Sequence, residues 1–372
     1  MEAQLAQFLR QMVTREASDL FLTTGAPVSM KLEGRMTAIT QNALPAGMVK
    51  RLAESLLSEE QKVELETLRE LNLAVALPEV GRFRVNVFHQ RGEVSMVVRA
   101  VRSQIPSVSD LGLPPVLNTI IASPRGLVLV VGSTGSGKST SLAAMIDHRN
   151  STMPGHILTI EDPIEFLHAH KQSLVNQREV GSDTIDFHRA LKNAMREAPD
   201  VILIGEILDT QTMEAAIAFS ETGHLCLATL HANNADQAID RILNFFPEAA
   251  HQNVLMNLSL NLRAIVSQRL IRDPNNKRIP AVEVMLNSPY IADLIRRGKI
   301  SDIKKAMEDS LSEGMETFDQ CLFRLAREGR ISKDNALNAA DSRDGLRLKF
   351  QMSEGALSGN EDPYADVYTS SH

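Results

Sequence analysis

Tryptophan is absent from this 372-residue chain, and aromatic residues make up only 4% of it. Stacking platforms for nucleic-acid bases are therefore scarce. An excess of positive charge is also missing: 39 Lys and Arg face 46 Asp and Glu, for a net charge of −7. Together these disfavour a chain-wide nucleic-acid footprint, and with it a DNA translocase. Cysteine occurs twice, at Cys226 and Cys321. Two cysteines cannot build a tetracysteine zinc site, and two distant thiols in a reducing compartment are expected to be buried and inert. No run approaches the roughly 18 apolar residues of a membrane span, and the opening stretch MEAQLAQFLRQMVTRE has no apolar signal-peptide core. The expectation is a cytoplasmic protein with no direct membrane insertion. No internal repeats are found.

What is present suffices for a large core: 43% of the residues are hydrophobic. The length suggests two or three domains. Residues 2–17 have the spacing of an amphipathic helix, with Leu5, Phe8, Leu9, Met12 and Val13 on one face. Short alternating stretches follow, among them Val28–Leu32 and the run in which Phe83, Val85 and Val87 alternate with Arg82, Arg84 and Asn86. Residues 1–102 thus read as a small α+β domain. Residues 103–115, SQIPSVSDLGLPP, read as a linker. Strands and helices then alternate, at Leu127–Val131, 138–149, Ile157–Ile160, 186–197, Val201–Ile204, 210–222, Leu225–Thr229 and 235–246. That rhythm predicts an α/β fold with a doubly wound, mostly parallel sheet. Further helices are expected at 250–272, 289–310, 316–328 and 332–340, completing a second domain over 116–345. Residues 346–372, ending in the polar, acidic SEGALSGNEDPYADVYTSSH, are expected to be a disordered tail.

The stretch that carries chemistry is Gly132-Ser133-Thr134-Gly135-Ser136-Gly137-Lys138-Ser139-Thr140, directly after the apolar run Leu127–Val131. It fits G-x-x-x-x-G-K-[ST], a phosphate-binding loop. Glycines let successive N–H groups point inward at phosphate oxygens, and the following helix adds the positive end of its dipole. Lys138 would reach the β- and γ-phosphates of ATP, and the Ser139 hydroxyl would sit on Mg²⁺. Two acidic strand ends accompany the loop. The stretch Ile157–Ile160 delivers Glu161, and Val201-Ile202-Leu203-Ile204-Gly205-Glu206 has the form of a Walker B strand, with Glu206 holding Mg²⁺ through water. Pattern alone leaves the general base open between Glu161 and Glu206. His224 and His231 flank the strand Leu225–Leu230 as γ-phosphate sensors or structural histidines. Arg82, Arg84 and Arg99 crowd two strands of the first domain. They are either a polar sheet face or arginines that reach a neighbouring subunit's nucleotide.

With these residues assembled, the chain resembles the type II/IV secretion ATPase superfamily, and within it the type IV pilus retraction ATPases, over nearly all of residues 1–345. The resemblance rests on GSTGSGKST, on ILTIEDPIEF at 157–166, on MREAPDVILIGEILD at 195–209 and on SETGHLCLATLHANN at 220–234, in that order. It implies a PAS-like N-terminal domain joined to a RecA-like P-loop ATPase domain with C-terminal helices, assembled as a homohexamer. It also implies Glu161 as general base, Glu206 as the Walker B carboxylate, His224 and His231 as catalytic histidines, and Arg82, Arg84 and Arg99 as trans-acting arginines. Partners would be an inner-membrane pilus platform protein and a PilT-type retraction ATPase. Two departures stand out: Leu208 occupies a position where the family commonly has Arg, and Phe21 one where relatives often have His. Rival readings are a pilus assembly or type II secretion motor, and an ATP-binding structural partner with little hydrolysis of its own. The assembly branch normally carries a tetracysteine site, which this chain cannot form.

Overall fold

The structure, a computed structural model, describes residues 1–32, 34–310 and 314–358. The chain divides into two compact units. The first comprises Met1–Ile105 with Asp162–Ala169 and Arg178–Asp186, and the second comprises Pro106–Glu161, His170–Gln177 and the chain from Phe187 onward. The expected order of a small α+β domain and a parallel-sheet domain is borne out. Two excursions of the later sequence nevertheless fold with the first unit, which no linear reading of domain boundaries could place.

The first unit is built on a six-stranded sheet from β1 (Asp19–Thr23), β2 (Pro27–Leu32), β3 (Arg35–Ala43), β4 (Glu70–Leu77), β5 (Gly81–Gln90) and β6 (Glu93–Ala100), in the order β3-β2-β1-β6-β5-β4. Every neighbouring pair is antiparallel. Period-two alternation decides what each face does. Phe83, Val85 and Val87 of β5 are buried among Leu20, Met96 and the helical residues Leu5, Leu9 and Met12, whereas Arg82, Arg84 and Asn86 point to the other face. The helix Glu59–Leu68 opens on a capping box, Ser58 accepting from the Gln61 N–H while the Gln61 side chain accepts from the Ser58 N–H.

The second sheet is formed by β7 (Gly126–Val131), β8 (Gly155–Glu161), β9 (Ser173–Glu179, whose last two residues fall in the first unit), β10 (Val201–Ile204), β11 (Leu225–Leu230), β12 (Leu262–Arg272) and β13 (Arg278–Leu286), in the order β13-β12-β7-β11-β10-β8-β9. From β12 through β7, β11 and β10 to β8 the pairing is parallel. Every residue of β7, β10 and β11 is buried, as expected of strands covered on both faces. The C-terminal ends of β7, β8, β10 and β11 therefore share one edge of the sheet.

Four expectations need correction. Residues 289–310 hold two helices, Pro289–Arg296 and Ile303–Glu308, because the chain turns at Gly298, whose φ is 68°. Residues 250–272 are not one helix: the helix His251–Asn261 ends, and Leu262–Arg272 forms β12, hairpinned to β13 through a turn in which the Asp273 N–H donates to the Lys277 carbonyl. Being buried on both faces, β12 lacks the alternation that marks a strand. Within the expected linker, Val108 and Leu113 are buried in the core of the second unit, so the connection is partly a packed turn. Residues 346–358, expected in the tail, belong to the helix Arg343–Ser358, because Leu346 and Phe350, one turn apart, bury against Leu322 and Leu325. The remainder of the expected tail lies outside the described residues.

Candidate active site

The loop after β7 is shaped by its glycines. Gly132, Gly135 and Gly137 have φ of 155°, 76° and 92°. A Cβ at Gly132 would come within 2.5 Å of the Gln268 carbonyl oxygen and of Ser136 Oγ, and one at Gly137 within 2.7 Å of Gln268 Nε2. Gly132 thus requires glycine for space as well as for backbone conformation, and Gly137 for conformation. The helix Lys138–Thr152 starts at Lys138, whose Nζ donates to the carbonyls of Gly132 at 2.8 Å and Ser133 at 3.1 Å. Burial pulls the Lys138 ammonium below its usual range, opposed by the charge of Glu206. Ser133, Thr134 and Ser139 are exposed, Thr140 is half-buried, and the buried Ser136 hydroxyl has no hydrogen-bond partner.

Glu206 follows β10 by two residues. Its Oε1 lies 2.9 Å from Nε2 of His231, and His231 Nδ1 lies 3.3 Å from the Gly132 carbonyl oxygen. One imidazole thus bridges the phosphate loop and the Walker B carboxylate. Both of its partners are acceptors, so in the neutral ring the single N–H serves one of them. The segment is fixed by local bonds: the Thr229 hydroxyl donates to the Gly205 carbonyl at 2.5 Å, the Ile207 N–H to the Thr229 carbonyl, and the Gly205 N–H to the Ile160 carbonyl. Glu161 ends β8, one residue beyond the Ile160–Ile204 pair, and its Oε1 accepts from the Thr159 hydroxyl at 2.7 Å and from Gln177 Nε2 at 3.2 Å. A cavity of about 500 Å³ opens beside the loop, lined by Ser133, Thr134, His231 and Arg241 among others.

The structure therefore joins Lys138, Gly132, His231 and Glu206, with Glu161 on the adjacent strand end. It does not join His224. That residue precedes β11 at the opposite edge of the sheet, its Nδ1 against the Phe219 carbonyl and the Thr222 hydroxyl. With the six residues of β11 between them, the two histidines lie roughly 23 Å apart at about 3.3 Å per residue. Flanking a strand sends them to its opposite ends, so within one subunit it is His231 that reaches the phosphate loop.

The three arginines are engaged within the first unit. Arg82 lies 3.7 Å from both Glu179 and Asp183. Arg84 pairs with Glu165 at 3.1 Å and donates to the Ile164 carbonyl. Arg99, more exposed, donates from Nε to Asp19 at 2.8 Å. The Nε atoms of Arg82 and Arg84 are buried without a hydrogen-bond partner. Gln268, whose Oε1 accepts from the Ser141 hydroxyl at 2.6 Å and whose carbonyl crowds Gly132, was not legible as a site residue, because β12 itself was not read as a strand.

A model of the type II/IV secretion system proteins matches residues 1–325. The type IV pilus ATPase PilU of Pseudomonas aeruginosa is 48% identical over 350 residues, which cover 94% of this chain and 92% of that protein. The pilus retraction ATPase PilT of the same bacterium is 42% identical over 324 residues, 87% of this chain and 94% of its own. Among solved structures, the crystal structure of the pilus retraction motor PilT with bound ADP aligns at a TM-score of 0.87 and 38% identity, covering 93% of this chain and all of that one.

Proposed function

The chain belongs to the type II/IV secretion system protein family, and from that premise we propose that it is an ATP-hydrolysing motor of type IV pilus retraction, of the PilU kind. One observation carries the chemistry: a phosphate loop, its lysine and a Walker B carboxylate meet through His231. The loop N–H groups and the helix dipole would bind the β- and γ-phosphates, and Lys138 would exchange the carbonyls of Gly132 and Ser133 for phosphate oxygens. The free Ser136 hydroxyl offers a further donor toward the loop interior. The exposed Ser139 hydroxyl and the Glu206 carboxylate are the hard oxygen donors that Mg²⁺ prefers. Mg²⁺ would neutralise charge on the transferring phosphoryl group. Glu161 would take the proton of the attacking water, and His231, already touching the loop, would report the γ-phosphate position to Glu206.

PilU and PilT are named as pilus ATPases, and the similarity to both over most of their length supports retraction here, beside a PilT-type partner motor. We place the protein as a homohexamer in the cytoplasm, reaching the inner membrane through a platform protein. Among the described residues no helix is long and apolar enough to cross a membrane. Arg82, Arg84 and Arg99 would serve a neighbour's nucleotide, Arg82 and Arg84 by exchanging their carboxylates for phosphate. A second reading, a nucleotide-binding partner that hydrolyses little, is favoured by Leu208, which is 56% exposed beside Glu206 and offers no charge.

Steady-state phosphate release separates the two. Glu206→Ala should slow release on the order of 100-fold while the protein stays folded. Equal rates in wild type and variant would leave only the binding-partner reading.

A further inference from the structure

The loop that carries His231 is held at its far end by residues from other elements of the second unit. Arg269, on β12, donates from Nη2 to the Asn233 carbonyl at 3.2 Å and to Asp341 Oδ1 at 2.5 Å, and from Nη1 to the Ala339 carbonyl at 2.6 Å. Its guanidinium lies 4.0 Å from the centroid of the Phe318 ring. Asp341 in turn accepts from Asn234 Nδ2 at 3.1 Å and from Lys304 Nζ at 3.4 Å. Asn234 caps the helix Ala235–Leu243, accepting from the Gln237 N–H. Asp341 is itself fixed, its N–H donating to Asp319 at 2.8 Å. The four residues His231–Asn234 therefore have two anchors. At one end the imidazole touches Gly132 and Glu206; at the other, a two-pronged clamp is set by the segment between the last two helices.

We propose that Arg269 and Asp341 are positioning residues for hydrolysis, holding His231 against the phosphate loop and Glu206 through the Asn233–Asn234 backbone. They touch no reacting atom. The clamp is charged and mostly buried: the side chain of Asp341 is 11% exposed and that of Arg269 24%. Burial raises the Asp341 carboxyl, but Arg269, Asn234 and Lys304 outweigh it and keep the group ionised. A charge-assisted pair of this kind fixes geometry more tightly than a neutral bond, because both members are oriented by several donors at once. The same connection means that displacement of the C-terminal helices would be felt at His231, and a change at the loop would be felt by those helices.

This inference rests on the reading of the site as an ATPase centre, and its test keeps the two apart. Full-length wild type, Asp341→Asn, His231→Ala and the double variant are compared for kcat, KM and affinity for a fluorescent ADP analogue, with Lys138→Ala as background. Asp341→Asn should lower kcat about 10-fold with KM and ADP affinity within about twofold, and should add nothing in the His231→Ala protein. Asn234→Ser keeps a helix-capping hydroxyl but removes the amide that reaches Asp341; it should lower kcat about threefold in the same manner, and decides the matter where Asp341→Asn does not fold. An unchanged kcat, or a loss that multiplies undiminished onto His231→Ala, overturns the positioning role alone. Wild type no faster than Lys138→Ala overturns the ATPase reading, and the clamp's role in hydrolysis with it.

Discussion

The two sheets hold their charged side chains in different places. In the second unit β7, β10 and β11 are buried along their whole length, so polar chemistry is expelled to their ends, where Lys138, Glu206 and His231 converge. In the first unit the hydrophobic core lies on one face of the sheet, and Arg82 and Arg84 stand on the other face of β5, against returning segments of the chain, while Phe83 and Val85 fill the core. A parallel sheet buried on both sides concentrates function at an edge, and an antiparallel sheet with its core on one face spreads it over the other. An edge site is thus assembled from strand-to-loop junctions, each recognisable in sequence. A face site acquires its partners from wherever the chain returns, here Glu165, Glu179 and Asp183, some 80 to 100 residues away.

The contrast is broken most severely at the loop. Gly132→Ala sets a methyl group against the Gln268 carbonyl, 2.5 Å away and on a backbone that cannot retreat freely. ATP hydrolysis should fall by about 100-fold or more, and titration with a fluorescent nucleotide should show binding lost with it. Wild-type binding would mean that the edge tolerates what its geometry excludes.

A smaller effect is expected on the sheet face. Arg84→Ala removes the bonds to Glu165 and to the Ile164 carbonyl, and should destabilise the protein by about 1–3 kcal/mol in urea unfolding. If the face also serves a neighbour's nucleotide, kcat in the assembled protein should fall while ADP affinity holds. A stability loss with kcat unchanged would reduce the face to architecture.

The smallest effect is a pH dependence confined to the second unit. Burial pushes Glu283 up to about 7, although the Ala235 and Phe318 N–H groups and the Ser267 hydroxyl bond to it, and pushes Asp236 up to about 6. A carboxyl protonated in the fold and ionised in the unfolded chain favours folding most below its unfolded value. That contribution is lost as pH rises through the folded value. For Glu283 the window runs from 4.5 to about 7. Melting temperature should therefore decline across that window through this group, and Glu283→Gln should flatten the decline. Hydrogen exchange should place the change in the second unit; a change seen equally in the first would dissolve the distinction.

Much of the edge was legible. The strand Leu127–Val131 and its glycine loop announce themselves, since apolar run, glycines, lysine and hydroxyl stand consecutively. Glu161 and Glu206 were visible as acids closing β-rich runs. Which of the two histidines flanking β11 meets the phosphate loop was left open by their spacing. β12 escaped because a strand buried on both faces shows no alternation, and Gln268 and Arg269 escaped with it. The helix through Leu346 and Phe350 looked like tail, for these buried residues find their partners in another helix, Phe318–Arg327, at Leu322 and Leu325.

Local order is what the sequence by itself determined: where strands and helices alternate, where the phosphate loop begins, which residue types stand at strand ends, and the division into a small α+β part and a parallel-sheet part. These depend on neighbours in the chain, through periodicity, glycine and the strand-to-helix step. Only the tertiary structure decided that His231 rather than His224 reaches the loop, that residues 162–169 and 178–186 fold with the first unit, and that Arg269 and Asp341 grip the segment behind His231. Each of those depends on strand order and on side chains brought together from distant parts of the chain, which no local pattern encodes.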